Sequence, residues 1–347
     1  MFLFGSNKLV ALDIGTSSIK LAEIDQTSRG PILRKFGVYP LNPGIVDGGE
    51  IQDVGGVGQA IESLLKIAKS KRKQAVTGMW GNSVIVKKIA MPKMEPKLVA
   101  EQIKWEAEQY IPFDVNEISL EHHILEGGAE NMDVLLVAAK QEYLFRFLEC
   151  LESGGLKCAI MDVAGFALAN VFELNYGKLD GAVALLNIGA GLTNFVIVEK
   201  GQVIFCRDIN VGGTIYTNEI AKGMGVSPEE AESLKVSASM GQAVPDEVNS
   251  IIAATTEQVI QEFQNSFEFY AATAGGSPIT KLFVSGGSIY LPGLVEQIAQ
   301  TTGLPFEMIN SFSKLQYDQK AFTPDYIEQI KAISPVVLGL ALRRKTD

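Results

Sequence analysis

At 347 residues, 47% apolar and 20% charged, the chain can bury a sizeable core and is long enough for two related domains. A formal net charge of −10, with Lys and Arg read as spread along the chain rather than gathered in a block, argues against nucleic acid as a partner. Cys150, Cys158 and Cys206, with no C-x-x-C spacing, suit buried thiols in a reducing compartment better than disulfides or zinc.

Taken in order, residues 1–4 are apolar but fall well short of the ~7–15 apolar residues of a signal peptide. Residues 9–24 (LVALDIGTSSIKLAEI) read as an apolar strand, a polar side chain at Asp13, a glycine-containing turn and a second apolar strand, the pattern of a β-hairpin. Residues 91–158 read as strand, helix, strand, strand, helix. The first of these helices, 96–109, places Leu98, Val99, Ile103 and Ala107 at helical spacing and stops at Ile111, which precedes Pro112. Strands 118–125 and 132–140 follow across a Gly127-Gly128 turn, and helix 141–153 closes the unit. Adjacent residues of a strand point to opposite faces, so His122 and His123 are not expected to share a metal. Asp162, the one polar side chain in 161–166 (MDVAGF), is read as a helix N-cap.

Residues 184–198 (ALLNIGAGLTNFVIV) repeat the plan of 9–24 without a gap, with Asn187 standing where Asp13 stands, which points to a duplicated domain. Two more glycine-rich turns follow, in 210–215 (NVGGTI) and 282–294 (LFVSGGSIYLPGL). Between them, 245–274 reads as a long helix whose stripe of Val248, Ile252, Val259, Phe263, Phe267 and Tyr270 serves core packing. Ser334 as cap and Pro335 at the first helical position open a short core helix over 335–342, too short for the ~20 residues that span a bilayer. Glycine lets backbone N–H groups approach a ligand, and successive N–H groups make a concavity for anions. The paired hairpins and Ser285-Gly286-Gly287-Ser288 therefore read as a phosphate clamp, of neither the P-loop nor the Rossmann type.

The set LDIGTSSIK, LLNIGAGLTNF, NVGGT and FVSGGSIYLPG resembles the actin/Hsp70/FtsA superfamily over essentially the whole chain. The resemblance implies an α/β, actin-like and ribonuclease H-like duplicated two-lobe fold that grips ATP and Mg²⁺ between its lobes. It implies Asp13 beside the Mg²⁺ hydration shell, and Gly15, Thr16, Ser17 and Ser18 around the β-phosphate, with Lys20 reaching the phosphates from behind. Gly189, Gly191 and Thr193 take the matching clamp, and Gly212, Gly213, Gly286, Gly287 and Ser288 line the nucleoside. Residues 231–235 (AESLK) resemble the superfamily helix in which Glu232 and Lys235 bracket ribose and adenine, although by spacing alone such a pair is more often solvated. Asn187 replaces the superfamily's second Asp and brings no charge to the metal, and 161–166 lacks the Glu or Gln that orients water. Phosphoryl transfer depends on such positioning, so ATP turnover is expected to be slow or absent and no catalytic residue is assigned.

Within this superfamily, IKWEAEQYIPF, LDIGTSSIKLAEI and 337–343 (VLGLALR) resemble the PilM family of type IV pilus assembly proteins, related to the cell-division protein FtsA. The expected division is a first lobe of 1–90, 159–180 and 330–347, an FtsA/PilM-type inserted subdomain at 91–158, a second lobe of 181–213 and 279–329, and its insertion at 214–278. The resemblance implies a cytoplasmic, ATP-loaded adaptor with no transmembrane segment of its own. It would be held peripherally at the inner membrane by the N-terminal cytoplasmic segment of PilN and by other pilus inner-membrane and motor components, in the service of pilus biogenesis and twitching motility. The insert is expected to offer a strand edge to that peptide. The alternatives are an FtsA-like cell-division or filament-forming protein, or a sugar/acetate-type kinase, for which no carboxylate general base can be assigned.

Overall fold

The computed structural model describes residues 8–125, 131–273 and 277–344. Residues 1–4, the expected Gly127-Gly128 turn and Ala274 lie outside the described residues.

The described chain opens with a meander of β1 (Val10–Ile14), β2 (Ser18–Thr27) and β3 (Gly30–Pro40). The short β4 (Val46–Asp47) and β5 (Glu50–Ile51) lead to α1 (Val54–Ile67) and β6 (Gln74–Met79). Next come β7 (Val84–Pro92), α2 (Pro96–Tyr110), β8 (Ile118–Ile124), β9 (Asn131–Lys140) and α3 (Gln141–Ser153), after which β10 (Lys157–Val163) rejoins the first sheet and α4 (Ala164–Tyr176) crosses to the second half. That half runs β11 (Ala182–Ile188), β12 (Thr193–Glu199), β13 (Gln202–Ile209), α5 (Gly213–Met224), α6 (Pro228–Ser239), α7 (Asp246–Thr273), β14 (Ile279–Ser285), α8 (Leu294–Thr302) and β15 (Phe306–Met308). The chain then returns to the first lobe through β16 (Gln316–Tyr317), α9 (Pro324–Lys331) and α10 (Pro335–Ala341).

The two large sheets share one plan. The first runs β10-β6-β1-β2-β3-β16 and the second β13-β12-β11-β14-β15, so in each a three-stranded meander continues into parallel strands. The duplication holds at the level of single pairs: Asp13 faces Lys20 across the first hairpin, and Asn187 faces Asn194 across the second. Every residue of β1 is buried, and β11 is nearly so, as expected of strands covered on both faces.

Three apolar cores result, one under each large sheet and one in the insert. Helices α4 and α10 lie together in the first core, which also takes in Val196, Cys206 and Phe283 of the second sheet. Their crossing is tight enough that a side chain at Gly339 would collide with the Ala167 carbonyl, so glycine is required there.

Several local expectations need correction. The insert's first strand begins at Val84, not near 91, and α3 does not belong to the insert: Tyr143, Phe147, Cys150 and Leu151 join the first core, while the insert core is built from β7, α2, β8, β9 and the adjoining Ile111. Leu98 is 51% exposed, because only Val99, Ile103 and Ala107 fall on the buried face of α2. Asp162 is not an N-cap. Helix α4 starts directly after β10, so the cap position falls on Val163, and the Asp162 carboxylate accepts a bond from the Val163 N–H at 2.8 Å and faces Arg343 at 3.5 Å. Ser334 does not cap either: α10 follows α9 almost directly, leaving Ser334 at φ −86°, ψ −21° with its hydroxyl donating back to the Lys331 carbonyl. A side-chain cap needs extended backbone to reach the next turn's amides.

Candidate functional site

The C-terminal ends of β1, β11 and β14 converge on one cleft, walled by the turns of both hairpins. Its wider part has a volume of 790 Å³, and a narrower recess of 70 Å³ continues between the turns; the two share Asp13, Ser17, Lys20, Asn187, Gly189 and Ala190. In the first turn, the Gly15 N–H donates to the Ser18 carbonyl at 3.1 Å, and in the second the Gly189 N–H donates to the Leu192 carbonyl at 2.9 Å. The matching bonds give both turns the same closed shape. A side chain at Gly191 would collide with the Thr16 side chain of the opposing turn, so glycine there lets the two turns approach closely.

Of the residues proposed from sequence, Asp13, Gly15, Thr16, Ser17, Ser18, Lys20, Asn187, Gly189, Gly191, Glu232, Lys235, Gly286, Gly287 and Ser288 line this cleft. Thr193, Gly212 and Gly213 do not. Thr193 is buried and donates to the Val211 carbonyl at 2.8 Å, while the Gly213 N–H donates to the Gly189 carbonyl at 3.0 Å. These three therefore form the frame behind the second turn. Sequence reasoning overlooked Trp80, Asn194, Tyr290 and Ile333, which also line the cleft; Trp80 and Ile333 come from segments distant in the chain from the glycine-rich motifs. Asn194 carried a signal, as the counterpart of Lys20 in the aligned hairpins, and so did Tyr290, two residues beyond Ser288 in the 282–294 motif.

Within the cleft Lys20 Nζ lies 3.1 Å from the Asp13 carboxylate. At the equivalent place in the second hairpin, Asn187 donates to the Asn194 side-chain oxygen at 3.0 Å, and the Ser285 hydroxyl donates to Asn187 Oδ1 at 3.2 Å. A charged cross-strand pair in one lobe is thus matched by a neutral one in the other. Asn194 Nδ2 also donates to Asp208, whose second oxygen accepts from the Gly81 N–H of the first lobe at 2.6 Å. Burial pushes the Asp208 carboxyl up from the ordinary carboxylate range, opposed by these two hydrogen bonds. At the other end of the cleft, Lys235 is buried and its ammonium donates to the Gly213 carbonyl, Thr217 Oγ1 and Glu232 Oε2 at 3.1, 2.9 and 2.6 Å. The Glu232–Lys235 pair is therefore built into the cleft wall. Among the described residues, no group of three or more His, Cys, Asp or Glu side chains is arranged to hold a metal.

A second cavity, of 460 Å³, lies where the insert meets the rest of the molecule. Its walls include Glu121, His122 and His123 of β8, Leu135 of β9, Phe166 of α4 and the turn at Gln202. In the insert's sheet, ordered β7-β9-β8, the described residues pair with only one side of β8, which leaves an edge beside this cavity.

A family model described as type IV pilus assembly protein PilM matches residues 11–345. The solved PilM-PilN type IV pilus biogenesis complex is 29% identical, with a TM-score of 0.84 over 96% of this chain and 98% of that one. The cell division protein FtsA of Bacillus subtilis (strain 168) is 24% identical over 356 residues, covering 92% of this chain and 79% of its own. The ethanolamine utilization protein EutJ of Carboxydothermus hydrogenoformans, 18% identical, covers 96% of this chain and 89% of its own with a TM-score of 0.58, a likeness of fold alone. The architecture is the actin-like α/β fold. No helix among the described residues is long and apolar enough to cross a membrane.

Proposed function

The chain belongs to the type IV pilus assembly protein PilM family, and from that premise we propose that it is a nucleotide-loaded adaptor of the pilus assembly complex rather than a turnover enzyme. The observation that carries the reading is the cleft itself, where two hairpins of identical register present opposed turns and a lysine to one recess. ATP would lie with its phosphates between the turns at Gly15–Ser18 and Gly189–Gly191, near Lys20, and its nucleoside against Glu232, Gly286, Gly287 and Ser288. Among the described residues lining the recess between the turns, Asp13 is the one carboxylate, which suits Mg²⁺ that keeps most of its waters and is held mainly through substrate phosphates. Bound ATP supplies ligand contacts to both lobes and so favours the closed form by mass action. The neutral Asn187–Asn194 pair adds no charge on the metal side, which supports slow hydrolysis.

The partner would be the N-terminal cytoplasmic segment of a PilN-type inner-membrane protein, taken up as an extended peptide in the cavity beside β8. The likeness to the partner-bound relative and the edge of β8 support this reading. Backbone pairing along that edge supplies affinity, and side chains entering the cavity supply selectivity. Peripheral association with the inner membrane, and a part in pilus biogenesis and twitching motility, follow from that partnership. Capture of PilN from a membrane fraction, with and without ATP, tests the proposal. Retention of PilN on the immobilised protein is expected, stronger with ATP; a folded protein that binds ATP but retains no PilN in either condition overturns the adaptor reading.

A further inference from the structure

Strands β1, β6 and β10 run parallel, and β1 points its C-terminal end at the cleft, so the N-terminal ends of all three lie at the far end of the first lobe. There β10, β6 and β1 lie side by side and parallel, with Lys157 opposite Gln74 and Val10 opposite Ala75. This register brings Lys157, Lys73 and Lys8 together across the sheet end. The last turn of α1 adds Lys66 and the connection from α1 to β6 adds Lys69, Lys71 and Arg72, so residues 66–73 carry five cations in eight positions. The reading of evenly spread charge overlooked this block, and in a chain of net charge −10 it reverses the local sign.

Some of these cations are already engaged. Arg72 turns inward to Glu23, Asp25 and the carbonyls of Leu9 and Ile24, while Lys8 pairs with Asp25 and Lys66 with Glu62. Lys69, Lys71, Lys73 and Lys157 are exposed, and among the described residues none of them makes an ion pair with a carboxylate. A hollow of 420 Å³ opens between this connection and Ser153-Gly154-Gly155. At the end of α1, between Lys66 and Lys69, stands Ile67, 65% exposed. An exposed aliphatic side chain set among free lysines matches the boundary between headgroups and acyl chains, where lysine stems lie in the apolar layer and their ammonium groups meet phosphates.

We infer that this end of the first lobe docks directly on an anionic membrane leaflet, with Lys69, Lys71, Lys73 and Lys157 meeting headgroup phosphates and Ile67 entering the acyl boundary. The contact is additional to any held through a partner. The strands between set the cleft back from the surface by about 20 Å, so it stays open to solvent when the protein adsorbs. Each lysine held at an anionic surface strengthens adsorption about fivefold.

The test is co-sedimentation of the full chain with vesicles of phosphatidylcholine alone and of phosphatidylcholine with phosphatidylglycerol. Pelleting with the anionic vesicles only, reversed by added salt, is expected. Lys69→Glu/Lys71→Glu/Lys73→Glu should reduce partitioning by about a hundredfold or more, since each change removes an attraction and adds a repulsion, and Ile67→Ser severalfold, with the circular dichroism spectrum unchanged. Lys178→Glu/Lys222→Glu/Lys320→Glu makes the same change in net charge elsewhere and should leave partitioning intact. Failure to pellet with anionic vesicles, equal losses in the two triple variants, or retention of a DNA duplex but not of vesicles would each overturn the inference.

Discussion

Replacing Asp208 by Ala removes the acceptor that joins the lobes. Its two oxygens accept bonds of 2.6 Å from the Gly81 N–H and 2.8 Å from Asn194 Nδ2, and both donor residues are buried. A hydrogen bond to a charged group contributes about 1.5–3 kcal/mol. For the charged form burial outweighs these bonds, so the loss on truncation comes from leaving the two buried donors unsatisfied, about 3 kcal/mol together at about 1–3 kcal/mol each. Asp208→Asn has one oxygen for two donors and should lose about half of that. Urea titration monitored by circular dichroism, with the slope held constant, reads both values. The pH dependence has a definite sign. With its pKa raised on folding, Asp208 binds more protons in the native state than in the unfolded chain between 3.8 and the raised value. Its contribution is therefore fully present below 3.8 and declines as pH rises through the raised value, a slope that Asp208→Asn should flatten. A loss below about 0.5 kcal/mol in Asp208→Ala, the range of ordinary surface changes, would refute the interlobe role.

A side chain at Gly287 meets nothing closer than Ile333 at 3.8 Å, so Gly287→Phe should fold normally, fill the cleft and abolish ATP binding by calorimetry; Gly286→Ala, at φ +96° and against the Ile188 carbonyl, should instead lower the melting temperature. Arg72→Met strands the buried Glu23 carboxylate and should cost about 3–5 kcal/mol in urea titration. Val137→Asp with His123→Asp, in the cavity beside β8, should abolish capture of a PilN peptide in fluorescence anisotropy while leaving ATP affinity within about twofold, since the nucleotide cleft lies elsewhere. Steady-state ATP turnover should remain below about 1 s⁻¹, the lower end for competent enzymes, and phosphate release at or above that rate would show that water and metal are organised after all.

The hairpins were legible because their information is local. Asp13 and Lys20, or Asn187 and Asn194, are seven residues apart, and a two-residue period with a glycine turn sets which residues meet across the ladder. Repetition of that pattern was enough to reveal the duplication and the two opposed turns of the cleft; Glu232, Lys235, Gly286, Gly287 and Ser288 were placed there by the superfamily resemblance. The limits appeared where a side chain's role depends on what packs against it from elsewhere. Thr193 shares the hairpin's pattern, yet it turns to Val211 rather than to the cleft. Helix α3 continues the insert in sequence, but its apolar face finds a better match against α1, which draws it into the first core. Trp80 and Asp208 reach the site from loops and strands that no spacing rule connects to it. The basic end of the first lobe gathers from the starts of three strands and one connection, so much of it becomes visible only once parallel pairing sets Lys8, Lys73 and Lys157 side by side. The sequence by itself determined which segments become strands, turns and helices, because local sterics and hydrophobic period act between near neighbours; only the tertiary structure decided which faces meet, because that depends on shape and polar satisfaction among residues far apart in the chain.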